Sequence, residues 1–334
     1  MISAGIAAEY TPAMRRRWPL AVLLGLAVIL AGTWGWASYQ GSASGLEGRK
    51  GRLAGVRLTG AGGDAVSTFE ELTLQSSTGQ AVRAIIRVPR AGTPPYPAAV
   101  LIAGIGLGRK VATVAGLEAI GRYAIVVSPD YPVKLHRRDW EGLNFLATTA
   151  RLRGSAFDLV AQIGLQIDYL ASRPDVRRDK IFLVGSSLGA PAVVIAGAVD
   201  TRPAAVIPLY GGGNIASLVT HTLQHGERDP FPAWQAAILA RTLALFLTPL
   251  EPTRYAAGIA PRHFLMVNGA DDSLIPRANV DALFNAARPP KDIIWMPSEH
   301  IEPDEKELIG AVSGRIAAWL ATQGLLPPEA AAKR

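Results

Sequence analysis

The chain has 334 residues, of which 49% are hydrophobic and 18% charged, so it can bury a large core and is not a disordered chain. The absence of cysteine excludes a disulfide framework, a thiol nucleophile, a cysteine zinc site and a lipidated cysteine. The formal net charge is +7, but the basic residues are scattered and no basic stripe alternates with aromatic residues, which argues against nucleic acid as a partner.

The first predicted element is a membrane span. Residues 18–39 carry no charge, and about 20 apolar residues cross a hydrocarbon core as a helix. Three arginines, Arg15–Arg17, precede the segment, and positive flanks stay in the cytoplasm. We therefore predict a cytoplasmic tail over 1–17, an uncleaved transmembrane signal anchor over 18–39, and a catalytic domain on the extracytoplasmic side. The alternative is cleavage near the small residues of 37–43, which would release a secreted protein.

Residues 40–67 are rich in glycine and serine and predict a linker. The composition then changes, and the pattern predicts one domain over 68–325 and a C-terminal tail over 326–334. The domain opens with two alternating stretches, 69–75 and 81–88, on either side of a short turn, which indicates a β-hairpin.

Short apolar runs and helical patterns alternate beyond the hairpin. Strands are predicted at 98–103, 123–127, 180–184, 204–209, 262–267 and 292–296. Helices are predicted at 111–120, 154–172, 188–198, 277–287 and 303–322. Continuous apolar strands that alternate with helices predict an α/β fold, with a mostly parallel central sheet covered by helices on both faces.

The most specific motif is G-x-S-x-G over 185–189, between a buried strand and a helix of small residues. Such a sharp strand-to-helix turn presents its central serine, here Ser187, above the sheet at a helix N-terminus, which favours developing negative charge. The alternative is a glycine-rich turn whose serine only caps the helix.

A nucleophilic serine needs a base and an acid that orients the base. In a strand–turn–helix site of this kind, the chain order is serine, acid, histidine. Of the five histidines, only His300 follows a loop of carboxylates at the end of a predicted strand. That loop contains both Asp271 and Asp272, and their positions alone leave either one open as the acid.

Two backbone amides must bind the oxyanion of the tetrahedral intermediate. We assign one to Leu188, which follows the nucleophile, and the other to Ile105 in the glycine-rich loop after the strand at 98–103. The competing interpretation of this loop is phosphate binding. It lacks the G-x-G-x-x-G and G-K-[ST] continuations that such loops need.

These segments resemble the α/β-hydrolase superfamily, and within it the dienelactone-hydrolase-like and acyl-thioesterase-like esterases. The matching pieces are VLIAGIG, SPDYP, KIFLVGSSLGA, NGADDSLIP and the EH at His300. The resemblance implies a triad of Ser187, Asp272 and His300 and no cofactor. The chain departs from the family in beginning the oxyanion loop with Ala103-Gly104 instead of His-Gly. Serine replaces the cysteine of dienelactone hydrolase itself, which points to esters or thioesters.

The segment 214–258 is an insertion with helical patterns at 214–225 and 233–247. We expect a helical cap that lines an apolar acyl pocket; the alternative is an ordinary packed helix pair without substrate contact.

His221 and His225 have a spacing that can bind zinc, but no H-E-x-x-H motif is present, and we predict no metal.

Taken together, the motifs predict a serine hydrolase that cleaves a carboxylic ester or thioester through an acyl-enzyme intermediate. Its substrates would be small acyl esters or thioesters, lipid-like ones included, with the membrane as a partner through the N-terminal helix. Two alternatives stay open: an acyltransferase on the same triad, and a catalytically silent binding or scaffold protein of the cell envelope.

Overall fold

A computed structural model describes residues 12–104, 107–133, 144–225 and 247–331, together with 234, 237, 240 and 241. Its strands are β1 Leu53–Gly63, β2 Ser67–Ser76, β3 Ala81–Pro89, β4 Tyr96–Ile102, β5 Ile125–Pro129, β6 Val176–Ser186, β7 Ala205–Leu209, β8 His263–Gly269 and β9 Lys291–Met296. Its helices are α1 Pro12–Gln40, α2 Ala43–Lys50, α3 Glu118–Gly121, α4 Asn144–Ser172, α5 Gly189–Val199, α6 Ile215–His225, α7 Arg277–Ala286 and α8 Lys306–Thr322.

All nine strands join one sheet in the order β1-β2-β3-β5-β4-β6-β7-β8-β9. The pairs β1–β2, β2–β3 and β3–β5 are antiparallel, and every pair from β5–β4 to β8–β9 is parallel. The hairpin and the six following strands confirm the prediction. Because parallel neighbours end at the same edge, the loops that follow β4, β6, β8 and β9 meet there.

Each face of the sheet has its own apolar core, which explains why the parallel strands are apolar at almost every position. In β4, Ala98 and Val100 face one core, and Ala99 and Leu101 face the other. The first core is closed by helices α4, α5 and α7, and the second by α3 and α8. The prediction of helices on both faces is confirmed.

The predicted linker at 40–67 is wrong, because this segment forms helix α2 and strand β1. The Ser42 side chain caps α2 by accepting from the Gly45 N–H at 3.0 Å, and Leu46 is buried. The Lys50 ammonium lies 2.9 Å from Asp168 on α4. Backbone pairing with β2 stabilises β1 despite its glycines, so composition alone missed an edge strand.

Helix α1 begins inside the predicted tail, at Pro12, and ends at Gln40. Over the residues that the structure describes, no helix combines the length and the apolar character needed to cross a membrane. The predicted span at 18–39 is therefore not confirmed. At the other end of the chain, the predicted tail packs against the second core, where Leu326 is buried beside a 3-10 turn, Pro328–Ala330.

Two predicted helices differ in detail. The stretch 111–120 is divided into a 3-10 turn, Gly108–Thr113, and the short helix α3, because Gly116 between them has a φ of 102° that ends the helical conformation. Helix α4 begins earlier than predicted, at Asn144. In the insertion, α6 confirms the first predicted helix, whereas most of the second, at 233–247, lies outside the described residues.

Candidate active site

The segment that presents Ser187 is a tight turn between β6 and α5. Ser187 has a φ of 53°, a left-handed conformation that a residue with a side chain rarely adopts. A methyl group at Gly185 would lie 2.6 Å from Val193, and one at Gly189 would lie 2.7 Å from the Ile102 carbonyl oxygen. Glycine is therefore required at both positions so that the strand, the helix and the neighbouring strand β4 can approach.

The Ser187 side chain meets the two partners predicted for it. The His300 Nδ1 atom lies 2.8 Å from Asp272 Oδ2, and the His300 Nε2 atom lies 3.0 Å from Ser187 Oγ. A carboxylate only accepts hydrogen bonds, so Nδ1 carries the proton and Nε2 accepts from the serine hydroxyl. The three residues follow β6, β8 and β9, whose ends converge at one edge of the sheet.

The geometry distinguishes the two adjacent aspartates. The Asp272 side chain is 2% exposed, and its second oxygen, Oδ1, accepts from the Leu274 and Ile275 amides at 2.9 Å each. These two hydrogen bonds hold the carboxylate against the imidazole. Asp271 is exposed, and its backbone N–H donates to the Ser298 carbonyl. Asp272 is therefore the acid that contacts His300.

Tyr210 supports the histidine and was missed by sequence reasoning. Its ring lies edge-on to the His300 imidazole, with centroids 5.7 Å apart, and its hydroxyl lies 2.9 Å from Ser298 Oγ. Burial raises the pKa of Tyr210, so its phenol stays protonated at neutral pH. Like Ser187, Tyr210 has a left-handed φ, of 46°. The only sequence signal was its place directly after the strand predicted at 204–209.

The loop that contains Asp271 and Asp272, the acid loop, also accepts hydrogen bonds from, and donates them to, residues of other segments. The Ser273 N–H donates to the Glu299 carboxylate at 3.1 Å, and His221 Nε2 on α6 donates to the Ser273 carbonyl at 2.8 Å. The His221 and His225 rings stack at 4.4 Å. Among the described residues, no cluster of histidine, aspartate and glutamate could hold a metal ion.

No protein-family model matches the chain, and no curated protein matches it. Solved structures do. The acetyl xylan esterase from Paenibacillus sp. R4 is 17% identical with a TM-score of 0.59, and the match covers 82% of this chain and 92% of that one. Acetyl xylan esterase 1 from Thermoanaerobacterium sp. JW/SL YS485 is 16% identical with a TM-score of 0.56, over 80% and 90%. The α/β hydrolase GrgF from Penicillium sp. sh18 is 14% identical with a TM-score of 0.51, over 76% and 98%.

The chain has the α/β-hydrolase fold. At these identities the likeness establishes the fold and leaves the reaction to the site itself. Strand β1 and helix α2 precede the hairpin in this chain, and the two loops with Asp272 and His300 follow the last two strands of the sheet.

The oxyanion donors are described in part. Leu188 stands at the N-terminus of α5, where backbone amides lack partners within the helix. Ile105 lies outside the described residues, but its neighbour Gly104 is close to the nucleophile: a methyl group there would lie 3.4 Å from Ser187 Cβ. The Tyr131 hydroxyl donates to the Ala103 carbonyl, and burial raises the pKa of Tyr131, so that the phenol stays a donor. Tyr131 therefore contacts the start of the loop that is predicted to bind the oxyanion.

A cavity of about 290 Å³ opens beside Ser187 and His300. It extends between the second core face of the sheet and helices α3 and α8, and its lining is mostly aliphatic. None of the described residues of 214–258 lines it. The apolar space next to Ser187 lies under the sheet edge, against α8. Because most of the second predicted helix lies outside the described residues, the expectation that the insertion lines an acyl pocket stays a prediction.

Proposed function

We propose that this protein is a serine hydrolase that cleaves a carboxylic ester or thioester through an acyl-enzyme intermediate. The observation that carries the proposal is the chain of two hydrogen bonds from Ser187 through His300 to Asp272. A hydroxyl, an imidazole and a carboxylate in this order perform acyl transfer on several unrelated folds. That the solved structures most similar to this chain include esterases supports the same chemistry.

In the first half of the reaction, Ser187 Oγ attacks the carbonyl carbon while its proton passes to His300 Nε2. The buried Asp272 carboxylate stabilises the imidazolium that forms and keeps the ring oriented. The Leu188 amide and an amide of the loop at 103–108, which we assign to Ile105, bind the negative oxygen. His300 then protonates the leaving alcohol or thiol, which departs and leaves the acyl group on Ser187.

In the second half, water enters and His300 removes its proton as the oxygen attacks the acyl carbon. The tetrahedral intermediate collapses, the proton returns to Ser187 Oγ, and a carboxylic acid leaves. No cofactor or metal is needed for either half, because serine, imidazole and backbone amides supply the nucleophile, the base and the electrostatic stabilisation.

The test is active-site labelling of the full chain in detergent with a fluorophosphonate, followed by mass spectrometry of the adduct. We expect one adduct at Ser187 that is absent from Ser187→Ala and from heat-denatured protein. Ser186→Ala controls for the adjacent hydroxyl and should still take the label at Ser187. Labelling at Ser186, or none on folded protein, would contradict the proposal.

We also propose that α1 anchors the protein in a membrane, with the catalytic domain on the extracytoplasmic side. Support comes from the uncharged sequence of 18–39, from the arginines before it, and from the exposed apolar side chains of α1, among them Leu23, Leu24 and Val28. Alkaline extraction of membranes should leave the full-length protein in the pellet. Recovery in the supernatant of a chain that begins within 37–43 would indicate a cleaved signal peptide instead.

The contact of His221 with the acid loop supports a third proposal, that the insertion 214–258 caps the site on the leaving-group side. His221→Ala should then raise KM for esters of bulky alcohols more than for methyl esters. His225→Ala is the matched control, since its ring contacts only α6 among the described residues. Equal changes in KM for both alcohols would contradict a cap at this position.

A further inference from the structure

The cavity beside Ser187 has a measurable depth. Along one wall, Ala103, Leu101 and Ala99 line it in succession, as alternate residues of β4 and its end. At about 3.3 Å per residue, this wall runs about 13 Å inward from the nucleophile. The opposite wall is the face of α8 from Ile309 to Ile316, which spans about 10 Å at 1.5 Å per residue. The cavity between these two walls is therefore elongated, and we call it the slot.

The inner end of the slot lies in the second core. Ala99 and Val126 are 1% and 2% exposed there. The cavity volume is about 290 Å³. An acetyl group would leave most of this volume empty, and an extended long fatty chain would be longer than the two walls.

Besides Ser186, Ser187, His300 and Glu302, the described residues that line the cavity include one further polar residue. Ser313 on α8 is 2% exposed, and within the described part of the chain its hydroxyl has no hydrogen-bond partner. Buried hydroxyls are nearly always paired, because leaving one unpaired costs free energy. Ser313 lies one helical turn inward from Ile309, so its hydroxyl is about halfway along the slot.

We propose that the slot binds the acyl group of the substrate, and that the preferred acyl group is a chain of medium length with a keto or hydroxyl oxygen near its middle. The chain fills the aliphatic slot, its carbonyl reaches Ser187, and its oxygen pairs with Ser313. This inference rests on the proposed function, because it assigns the acyl specificity of the same site.

The first test measures kcat/KM of the full chain in detergent with p-nitrophenyl acetate, butyrate, octanoate and palmitate. We expect octanoate to exceed acetate by at least tenfold, since each methylene that leaves water adds about 0.8 kcal/mol of favourable free energy, or nearly fourfold. Palmitate should fall below octanoate. A maximum at acetate or at palmitate would overturn the inference.

The second test changes the inner end of the slot. Ala99→Leu should lower the octanoate-to-acetate ratio at least tenfold, because the larger side chain occupies the space of the chain end. Val126→Ala, which enlarges the same end, should shift the chain length with the highest kcat/KM towards decanoate. This variant tests the inference if Ala99→Leu fails to fold. Ratios that stay the same as in the unchanged protein would overturn the inference.

The third test removes the hydroxyl. Ser313→Ala should lower the ratio of kcat/KM between a mid-chain keto octanoate ester and the plain octanoate ester by about threefold to tenfold, the effect of one lost hydrogen bond. Ser128→Ala is the matched control, because the Ser128 hydroxyl is also buried without a hydrogen-bond partner among the described residues but does not line the slot. An equal effect of both variants would overturn the role of Ser313.

The failure of this inference and that of the proposed function are distinguishable. If Ser187 takes the fluorophosphonate label and acetate is the best ester, the hydrolase proposal stands and the acyl inference fails. If Ser187 takes no label and no ester is hydrolysed, both fail.

Discussion

The two halves of the candidate triad are built in different ways. The turn over 185–189 that presents Ser187 is formed by five consecutive residues, two of them glycines at which a methyl group would meet Val193 or the Ile102 carbonyl. Asp272 and His300 stand on two separate loops, and their approach depends on Tyr210, Ser298 and the amides of the acid loop. The nucleophile is thus set by local backbone geometry, whereas the base and the acid are set by contacts between distant elements.

This difference predicts how each half fails. Removal of Ser187 should abolish the reaction outright, because the candidate nucleophile is a single hydroxyl, and overpacking of the turn should lower the stability of the fold. A change in the support of His300 should reduce the rate by degrees, because several contacts share the task of holding the ring.

The largest effect is expected from Ser187→Ala. Loss of the nucleophile should lower kcat by about 10⁴- to 10⁶-fold, since only binding and the oxyanion donors then remain. The melting temperature should change little, because alanine keeps the size of the site. Hydrolysis of p-nitrophenyl octanoate together with thermal melting checks both. Residual activity within a hundredfold would assign the nucleophile elsewhere.

The next effect separates the two adjacent aspartates. Asp272→Asn should lower kcat by about 10⁴-fold, because an amide favours the wrong tautomer of His300 and does not stabilise its imidazolium. Asp271→Asn is the matched control and should stay within a few-fold, since this side chain is exposed and does not contact His300. Equal losses in the two variants would remove the distinction drawn from the geometry.

A smaller effect, on stability, tests the turn itself. Gly185→Ala places a methyl group 2.6 Å from Val193, and such overpacking should lower the free energy of unfolding by about 1–3 kcal/mol. Gly154→Ala on α4 is the matched control, because a methyl group there meets nothing within 4 Å and should stabilise the helix by about 0.5–1 kcal/mol. Denaturant unfolding measures both; similar values would mean that the turn does not require glycine.

The smallest effect concerns the support of His300. Tyr210→Phe keeps the ring but removes the hydrogen bond with Ser298, at a cost of about 0.5–1.5 kcal/mol, so kcat should fall about twofold to tenfold with KM nearly unchanged. Tyr210→Leu should cost more, because it also removes the ring that packs edge-on to the imidazole. A phenylalanine variant as inactive as Asp272→Asn would show that the support is not shared among several contacts.

From the sequence alone, the order of strands and helices in the domain was predictable, because β4 to β8 are buried on both faces and therefore appear in the sequence as continuous apolar runs. Ser187 was also predictable, because the close approach of strand, helix and β4 at this turn requires glycine at 185 and 189, and both glycines are visible in the sequence. His300 followed from chain order, as the only histidine beyond the acid loop.

The tertiary structure decided what depends on contacts between distant residues. It distinguished Asp272 from Asp271 by burial and revealed the contacts of Tyr210 and Tyr131. It also showed that the predicted linker forms α2 and β1, which are stabilised by the ion pair with Asp168 and by pairing with strand β2. It also placed an apolar slot against α8. Each of these depends on which surfaces meet once the sheet has formed, and residues that meet across the fold leave no periodic signal along the chain.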